Sequence, residues 1–377
     1  MYLESLDFGN FRNLEMGHLT FSPGFNVFYG DNAQGKSNLL EAIYVLAFLK
    51  GFRANKLSEL IAFDAPKAQL STLVRNGHAS TRLGLELDAH MRRAFVDGTP
   101  CCRIRDYLGV LRAILFVPMD VGFMQTAPAV RRSMLDRMIF NLHPSYLIDL
   151  EQYAKVCKQK SVVLRSEMPD ETLLDAYDEQ LLPLGERILR ARYEYFQLMT
   201  PYICEVFASI FDDDYICRPI YKSSNCRREV LFGDDDQVSS DDLAGLWRQY
   251  IHTCRAKELA RQQIISGPQR DDWTLGLNGR QARFFASQGQ QRAMSLALKL
   301  AEIACLKKEA GVEPVFLLDD VSSELDPVRH KKLFVHLNAL TTQTFLTTTS
   351  KSHVYIDCVG RIYHVSAGRV SEDESGN

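Results

Sequence analysis

A chain of 377 residues exceeds what one hydrophobic core usually organises, so two lobes are expected. Hydrophobic residues make up 46% and charged residues 24%, an ordinary globular composition, and the longest apolar run, Leu39 to Leu49, is broken by Glu41 well short of the ~18 residues that span a bilayer, which excludes a membrane-spanning helix. A net charge of −3, from 44 basic and 47 acidic side chains, decides neither for nor against nucleic acid, because a nearly neutral chain can carry a basic face. Of nine cysteines only Cys101 and Cys102 are close neighbours and no C-x-x-C pair occurs, which argues against zinc and suits reduced thiols. The start, Met1-Tyr2-Leu3-Glu4-Ser5-Leu6-Asp7, has neither a basic segment nor a long apolar stretch, so it does not read as a secretion signal and a cytoplasmic location is expected.

In chain order, Leu3, Leu6 and Phe8, then Phe11, Leu14 and Leu19, spaced around Gly9 and Pro23, predict strands. Gly24 to Tyr29 reads as a short buried strand and Asn38 to Ile43 as the start of a helix. Residues 68–97 alternate again around an Asn76-Gly77 turn and predict antiparallel strands; Leu111 to Val117 is a further apolar run stopped by Pro118. From about residue 129 the spacing turns helical: Arg131 to Phe140, Tyr146 to Leu164, Glu171 to Met199 and Tyr202 to Phe211, punctuated by Met168-Pro169-Asp170 and Met199-Thr200-Pro201. Acidic clusters at 212–214, 234–236 and 241–242 read as solvated loops, with a metal role as the weaker alternative, around a strand-like Tyr215 to Tyr221. Residues 243–263 look helical, a helix runs to about Lys308, Val315 to Leu318 and Thr344 to Leu346 read as strands, and Ser371 to Asn377 as a frayed end. This order predicts an α/β core with a mostly helical insertion.

The chemistry centres on Gly30-Asp31-Asn32-Ala33-Gln34-Gly35-Lys36-Ser37, which fits G-x-x-x-x-G-K-[ST] between a predicted strand and a predicted helix, the context that makes this motif specific. Gly30 and Gly35 let the backbone curl so that N–H groups face phosphate oxygens, and the helix start adds partial positive charge. Lys36 would reach the β- and γ-phosphates and Ser37 would hold magnesium. Val315-Phe316-Leu317-Leu318-Asp319-Asp320 looks like a buried strand delivering carboxylates at its tip, with Asp319 completing the magnesium shell and Asp320 set to orient the attacking water. Ala286-Ser287-Gln288-Gly289-Gln290-Gln291-Arg292 offers a hydroxyl, a flexible glycine and a helix N-terminus, a second phosphate-binding set.

Phosphate loop, S-x-G-Q signature, hydrophobic strand with a double acid and the S-x-L-D loop Ser323-Glu324-Leu325-Asp326 stand in the order seen in ATP-binding-cassette (ABC) ATPases. The long gap between the first two resembles the Rad50 and chromosome-maintenance (SMC) branch. More closely, the chain resembles the RecF family of bacterial recombination and replication-repair proteins, through Asn10-Phe11-Arg12-Asn13, the phosphate loop with Asn38-Leu39-Leu40-Glu41-Ala42, Gly267-Pro268-Gln269-Arg270-Asp271-Asp272, and the signature and acidic strand. It departs from the family at Gln269, where histidine is usual, in the basic segment Gly51 to Lys56, and at Asp320, where many cassette ATPases carry glutamate. Pro118-Met119-Asp120 stands where a glutamine loop is usual.

The resemblance implies an ABC-type, Rad50/SMC-head-like P-loop ATPase lobe at 1–117 and 264–377 with a mostly α-helical insertion at 118–263. It implies ATP and Mg2+ as cofactors, and a signature (Ser287, Gly289, Gln290) that, with Asp326, completes the ATP site of a second molecule in a head-to-tail dimer. Hydrolysis would then be slow and would loosen that dimer, since Thr347 or Thr348 falls where cassette enzymes carry a switch histidine. Arg12 is either a phosphate contact, as in relatives, or a plain surface arginine. The implied partners are double-stranded and gapped DNA together with RecO- and RecR-type proteins in loading a recombinase. Arg53, Lys56, Arg92, Arg93, Arg103 and Arg105 are candidates for DNA phosphate contact, against the plainer reading of ordinary surface charges. The competing assignments each lack something: a transporter subunit does not have so long an insertion, a nuclease of the overcoming-lysogenization type carries a further acidic domain, and a small-molecule kinase leaves the S-x-G-Q segment without a purpose.

Overall fold

The computed structural model describes residues 1–54, 56–211, 214–224, 229–233, 239–320, 327–339, 342–351 and 359–373. The chain forms two compact units, Met1–Val121 with Ile303–Asn377, and Gly122–Glu302.

The first unit opens with β1 (Tyr2–Gly9), β2 (Gly17–Thr20), β3 (Phe25–Tyr29) and helix α1 (Lys36–Phe48), followed by β4 (Ala68–Asn76), β5 (Ala79–Leu87), β6 (Arg92–Val96), β7 (Thr99–Pro100) and β8 (Ala113–Phe116). Period-two alternation yields the expected antiparallel sheet, in the order β2-β1-β4-β5-β6-β7. Gly77, at φ 60°, turns β4 into β5.

The second unit contains α2 (Pro128–Leu142), α3 (Tyr146–Leu164), α4 (Glu171–Ile210), β9 (Cys217–Lys222), β10 (Glu229–Leu231), α5 (Ser240–Thr253), α6 (Arg255–Arg261), β11 (Asp272–Leu277), β12 (Arg280–Gln281), the single turn α7 (Ala282–Phe285) and most of α8 (Gln288–Ala310). The expected break at Met199-Thr200-Pro201 is absent: α4 is one helix of 40 residues with Pro183 and Pro201 inside it. Its apolar stripe runs through the proline, with Phe196, Met199, Ile203, Val206 and Phe207 all buried, and the Thr200 hydroxyl donates to the Phe196 carbonyl at 2.6 Å. Packing outweighs the local cost of a helix proline here. The return to the ATPase lobe, placed by the sequence at residue 264, also differs from the compact division: β11 pairs along its length with β9, which holds 264–302 in the second unit.

The chain re-enters the first unit through β13 (Val315–Leu318), α9 (Pro327–Ala339), β14 (Thr344–Thr348), β15 (Val359–Ser366) and β16 (Arg369–Glu372). The expected frayed end is therefore ordered as far as β16, because β16 pairs with β15 from Tyr363↔Glu372 to Ser366↔Arg369. The second sheet runs β16-β15-β3-β14-β13-β8, and every pairing except β15–β16 is parallel. β13 and β14 are buried at every residue, which in β13 explains the unbroken apolar run. Phe21, Phe28, Phe345 and Tyr363 form an aromatic cluster in this unit, with ring centroids 4.7–6.3 Å apart. Because β3, β14 and β13 are adjacent and parallel, their C-terminal tips open on one edge, where a parallel α/β sheet collects its ligand groups.

Candidate nucleotide site

The phosphate loop leaves the tip of β3 and enters α1 directly. Gly30 and Gly35 hold φ of 149° and 116°, and Ala33 holds φ 63°. A Cβ on Gly30 would lie 2.2 Å from the Val365 carbonyl oxygen, so only glycine fits where the loop begins. α1 has no side-chain N-cap and no acid in its first turn, which leaves its opening N–H groups to a ligand. Lys36 is buried, and its Nζ donates to the carbonyls of Gly30 at 2.6 Å and Asp31 at 2.7 Å. Burial holds the Lys36 ammonium below its ordinary pKa, an effect partly offset by the charges of Asp320, Asp319 and Asp31.

Asp319, 1% exposed, stands at the end of β13 and gathers three partners from distant parts of the chain. Its Oδ1 accepts from Ser37 Oγ at 2.7 Å and from Thr347 Oγ1 at 2.8 Å, and its Oδ2 accepts from Arg53 Nη2 at 2.6 Å. Asp320 adopts φ 45° and donates its N–H to Thr347 Oγ1 at 2.9 Å. Thr347, at the tip of the intervening strand β14, thus fastens both acids. Ser37 and Asp319 bring together a hydroxyl and a carboxylate, hard oxygen donors of the kind magnesium accepts, on the edge where the phosphate loop opens, so these residues fit such an ion.

Arg53, a candidate for DNA contact, is exposed, and its guanidinium pairs with Asp319 from a Gly51 to Ala54 loop that is pinned from behind. The pin is Glu41, fully buried on α1, whose Oε1 accepts the N–H groups of Arg53 at 3.0 Å and Ala54 at 3.3 Å. The same carboxylate binds Arg12, Nε at 2.8 Å and Nη2 at 2.7 Å, so Arg12 is an anchored arginine beside the loop. Glu41 was missed as a site residue; its signal was a lone carboxylate interrupting an apolar helix. Arg92, another expected DNA contact, donates to the Leu49 carbonyl at 2.6 Å. Lys56, Arg93, Arg103 and Arg105 are exposed; Arg93 stands opposite Glu86 in the sheet, and Arg105 lies 3.8 Å from Asp106.

The signature segment forms a reciprocal helix cap. The Ser287 N–H donates to Gln290 Oε1 at 2.8 Å and the Gln290 N–H donates to Ser287 Oγ at 3.2 Å, so the S-x-G-Q spacing is a capping box at the head of α8. Gly289 lies in the first turn behind it. Gln269 is an internal link, accepting from the Tyr153 hydroxyl and donating to the Ser266 carbonyl at 2.6 Å. Pro118-Met119-Asp120 opens a 3-10 turn in which Asp120 accepts the Val117 N–H at 3.1 Å. Asp326 lies outside the described residues, as do most of the acidic clusters. Among the described residues, no group of three or more His, Cys, Asp or Glu is arranged to hold a metal, and no helix is long and apolar enough to cross a membrane.

A glycine loop feeding a helix, a carboxylate strand with one strand between it and that loop's strand, and a capped signature helix define an ABC-type P-loop ATPase head. The family description RecF/RecN/SMC N terminal domain matches residues 2–371. DNA replication and repair protein RecF of Citrifermentans bemidjiense is 35% identical over 98% of this chain and all of its own length, and that of Lactobacillus delbrueckii subsp. bulgaricus is 35% identical over all of this chain and 98% of its own. A solved structure described as the recombination mediator protein RecF-ATP in the RecFOR pathway superposes with a TM-score of 0.88 at 31% identity, covering 99% of this chain and 97% of that one. An Smc head bound to the C-winged helix domain of ScpA, at 14% identity and TM-score 0.57, shares the fold. The chain belongs to the RecF family of DNA replication and repair proteins.

Proposed function

We propose that the chain binds ATP with Mg2+ at the β3–β14–β13 edge and acts in DNA replication and repair as an ATP-dependent DNA-binding protein. The observation that carries the reading is the meeting of Ser37 and Asp319, 282 residues apart, at 2.7 Å beside the phosphate loop. Lys36, held on two loop carbonyls, exchanges those partners for phosphate oxygens when the triphosphate enters. Ser37 and Asp319 would hold the ion, which supplies charge stabilisation to the transferring phosphoryl group. Thr347 keeps Asp319 and Asp320 in place, and Asp320 orients the attacking water. Hydrolysis is slow and serves as a timer, since the Thr347 hydroxyl that touches both acids is a poor base at neutral pH.

Head-to-tail dimerisation belongs to the same reading. Ser287 is exposed at the head of a 23-residue helix, with its hydroxyl and backbone ordered by Gln290, a preformed phosphate-binding end. ATP bound by one copy and completed by the signature of another makes nucleotide binding and association two sides of one equilibrium, and hydrolysis loosens the pair. DNA, double-stranded or gapped, is held by phosphate contact, and RecO- and RecR-type proteins are the partners in loading a recombinase. Lys36→Arg is expected to abolish the increase in solution mass that ATP causes, and Ser287→Arg to spare ATP binding while preventing association. A Ser287→Arg protein that still dimerises with ATP overturns the dimer reading, and DNA affinity that ignores salt overturns the phosphate-contact reading.

A further inference from the structure

The C-terminal hairpin grips the phosphate loop at both ends. β15 and β16 are joined by the two-residue turn Ala367-Gly368, with φ of 49° and 80°, the left-handed pair of a tight hairpin. The Ala367 N–H donates to the side-chain oxygen of Gln34 at 2.6 Å, and the Gly368 N–H donates to the Gln34 backbone carbonyl at 2.9 Å. On the other side of the turn the Gly368 carbonyl accepts the Glu15 N–H at 3.1 Å, and Arg369 pairs with Glu15 at 2.8 Å. At the start of the loop the backbone of Val365 is so close to Gly30 that no Cβ fits. Tyr29, the last residue before the loop, donates to Asp373 just beyond β16 at 2.5 Å.

These contacts set an orientation. In a trans peptide the carbonyl and the following N–H point in opposite directions. Gly368 holds the Gln34 carbonyl, so the Gly35 N–H of that same peptide faces away from the hairpin and is left for a phosphate oxygen. Only glycine lets the turn approach this closely, since a Cβ on Gly368 would lie 1.9 Å from the Asn13 carbonyl oxygen.

We propose that the Ala367-Gly368 turn is a positioning element of the nucleotide site, acting through Gln34 to keep the phosphate loop in its anion-binding conformation before nucleotide arrives. The proposal rests on the reading of this loop as the ATP site. It assigns a use to Gln34, a position the motif leaves free, and to a hairpin more than 300 residues downstream.

The test uses the full chain. Gln34→Met removes the side-chain acceptor at nearly constant volume, and Gly368→Ala forces the turn away from Asn13. A fluorescent ATP analogue with Mg2+ reports affinity, and hydrogen exchange of the nucleotide-free protein reports order across residues 30–37. Loss of one hydrogen bond weakens binding about two- to tenfold, so Gln34→Met is expected within that range and Gly368→Ala beyond it. In both, exchange across 30–37 rises while exchange across β13 stays as in the parent. Unchanged affinity and unchanged exchange across 30–37 in Gln34→Met overturn the proposal, whether or not Gly368→Ala folds. Lys36→Ala separates the two readings. If it leaves nucleotide binding intact, the ATP-site reading fails; the exchange measurement, made without nucleotide, still decides whether the turn orders the loop.

Discussion

The two units bury charge to different ends. In the nucleotide unit Lys36, Glu41 and Asp319 are buried, yet each lies one bond from an accessible group: Lys36 on the carbonyl of exposed Asp31, Glu41 on Arg12 at 21% side-chain exposure, Asp319 on Arg53 at 46%. In the helical unit Lys160 is fully buried between Asp178 and Glu258, both at 2.6 Å, and Arg255 closes the cluster on Asp178. Both arrangements carry the desolvation cost of buried ions. The first keeps partners that a ligand can replace, as binding requires; the second joins α3, α4 and α6, with the Lys160–Glu258 pair fully buried and only Arg255 leading outward, to Asp175. Buried charge by itself therefore does not mark a functional site, and replaceable partners do.

The sharpest way to break this contrast is Lys160→Met. It leaves Glu258 buried with only the Ile265 N–H, while Asp178 keeps Arg255. Unfolding is expected to become easier by about 3–5 kcal/mol in denaturant, with nucleotide affinity in the folded protein as before. A matching loss of nucleotide affinity would mean that the cluster is part of the site after all. Glu41→Gln probes the other side. It removes the charge shared by Arg12 and the Arg53 loop, and is expected to cost about 1–3 kcal/mol in stability together with a several-fold loss of nucleotide affinity. Lost stability with unaltered affinity would reduce Glu41 to a packing residue.

A pH titration sharpens the picture further. Phosphate binding needs the Lys36 ammonium, and burial lowers its pKa from 10.5, so affinity for the ATP analogue is expected to fall on the alkaline side before an ordinary lysine would titrate. Constant affinity up to pH 10.5 would contradict that. The smallest effect concerns thiols. Cys102 is exposed, whereas burial pushes the Cys217 thiol well above its usual range, so mass spectrometry after brief alkylation at neutral pH should find Cys102 modified and Cys217 intact.

How much of this was legible without coordinates depended on distance along the chain. The loop Gly30 to Ser37, the strand carrying Asp319 and the helix Tyr146–Leu164 were readable because each is a local pattern of a few consecutive residues. The continuity of α4 through Pro201 was not, because a proline reads as a stop until the packing of its apolar stripe is known. The Arg53–Asp319 pair was hidden for a related reason: a basic residue in a loop looks like surface charge, and only the folded chain brings it to a carboxylate 266 residues away.

The amino-acid order alone determined that a phosphate loop exists, which strand bears its carboxylate and that a long helical segment separates them, since backbone sterics and hydrophobic periodicity act between near neighbours. Only the tertiary structure decided that Glu41 anchors two arginines, that Thr347 fastens both acids and that the last hairpin braces Gln34. Those are hydrogen bonds between separate segments of the chain, whose partners meet only once the strands have paired and the loops between them are set in place.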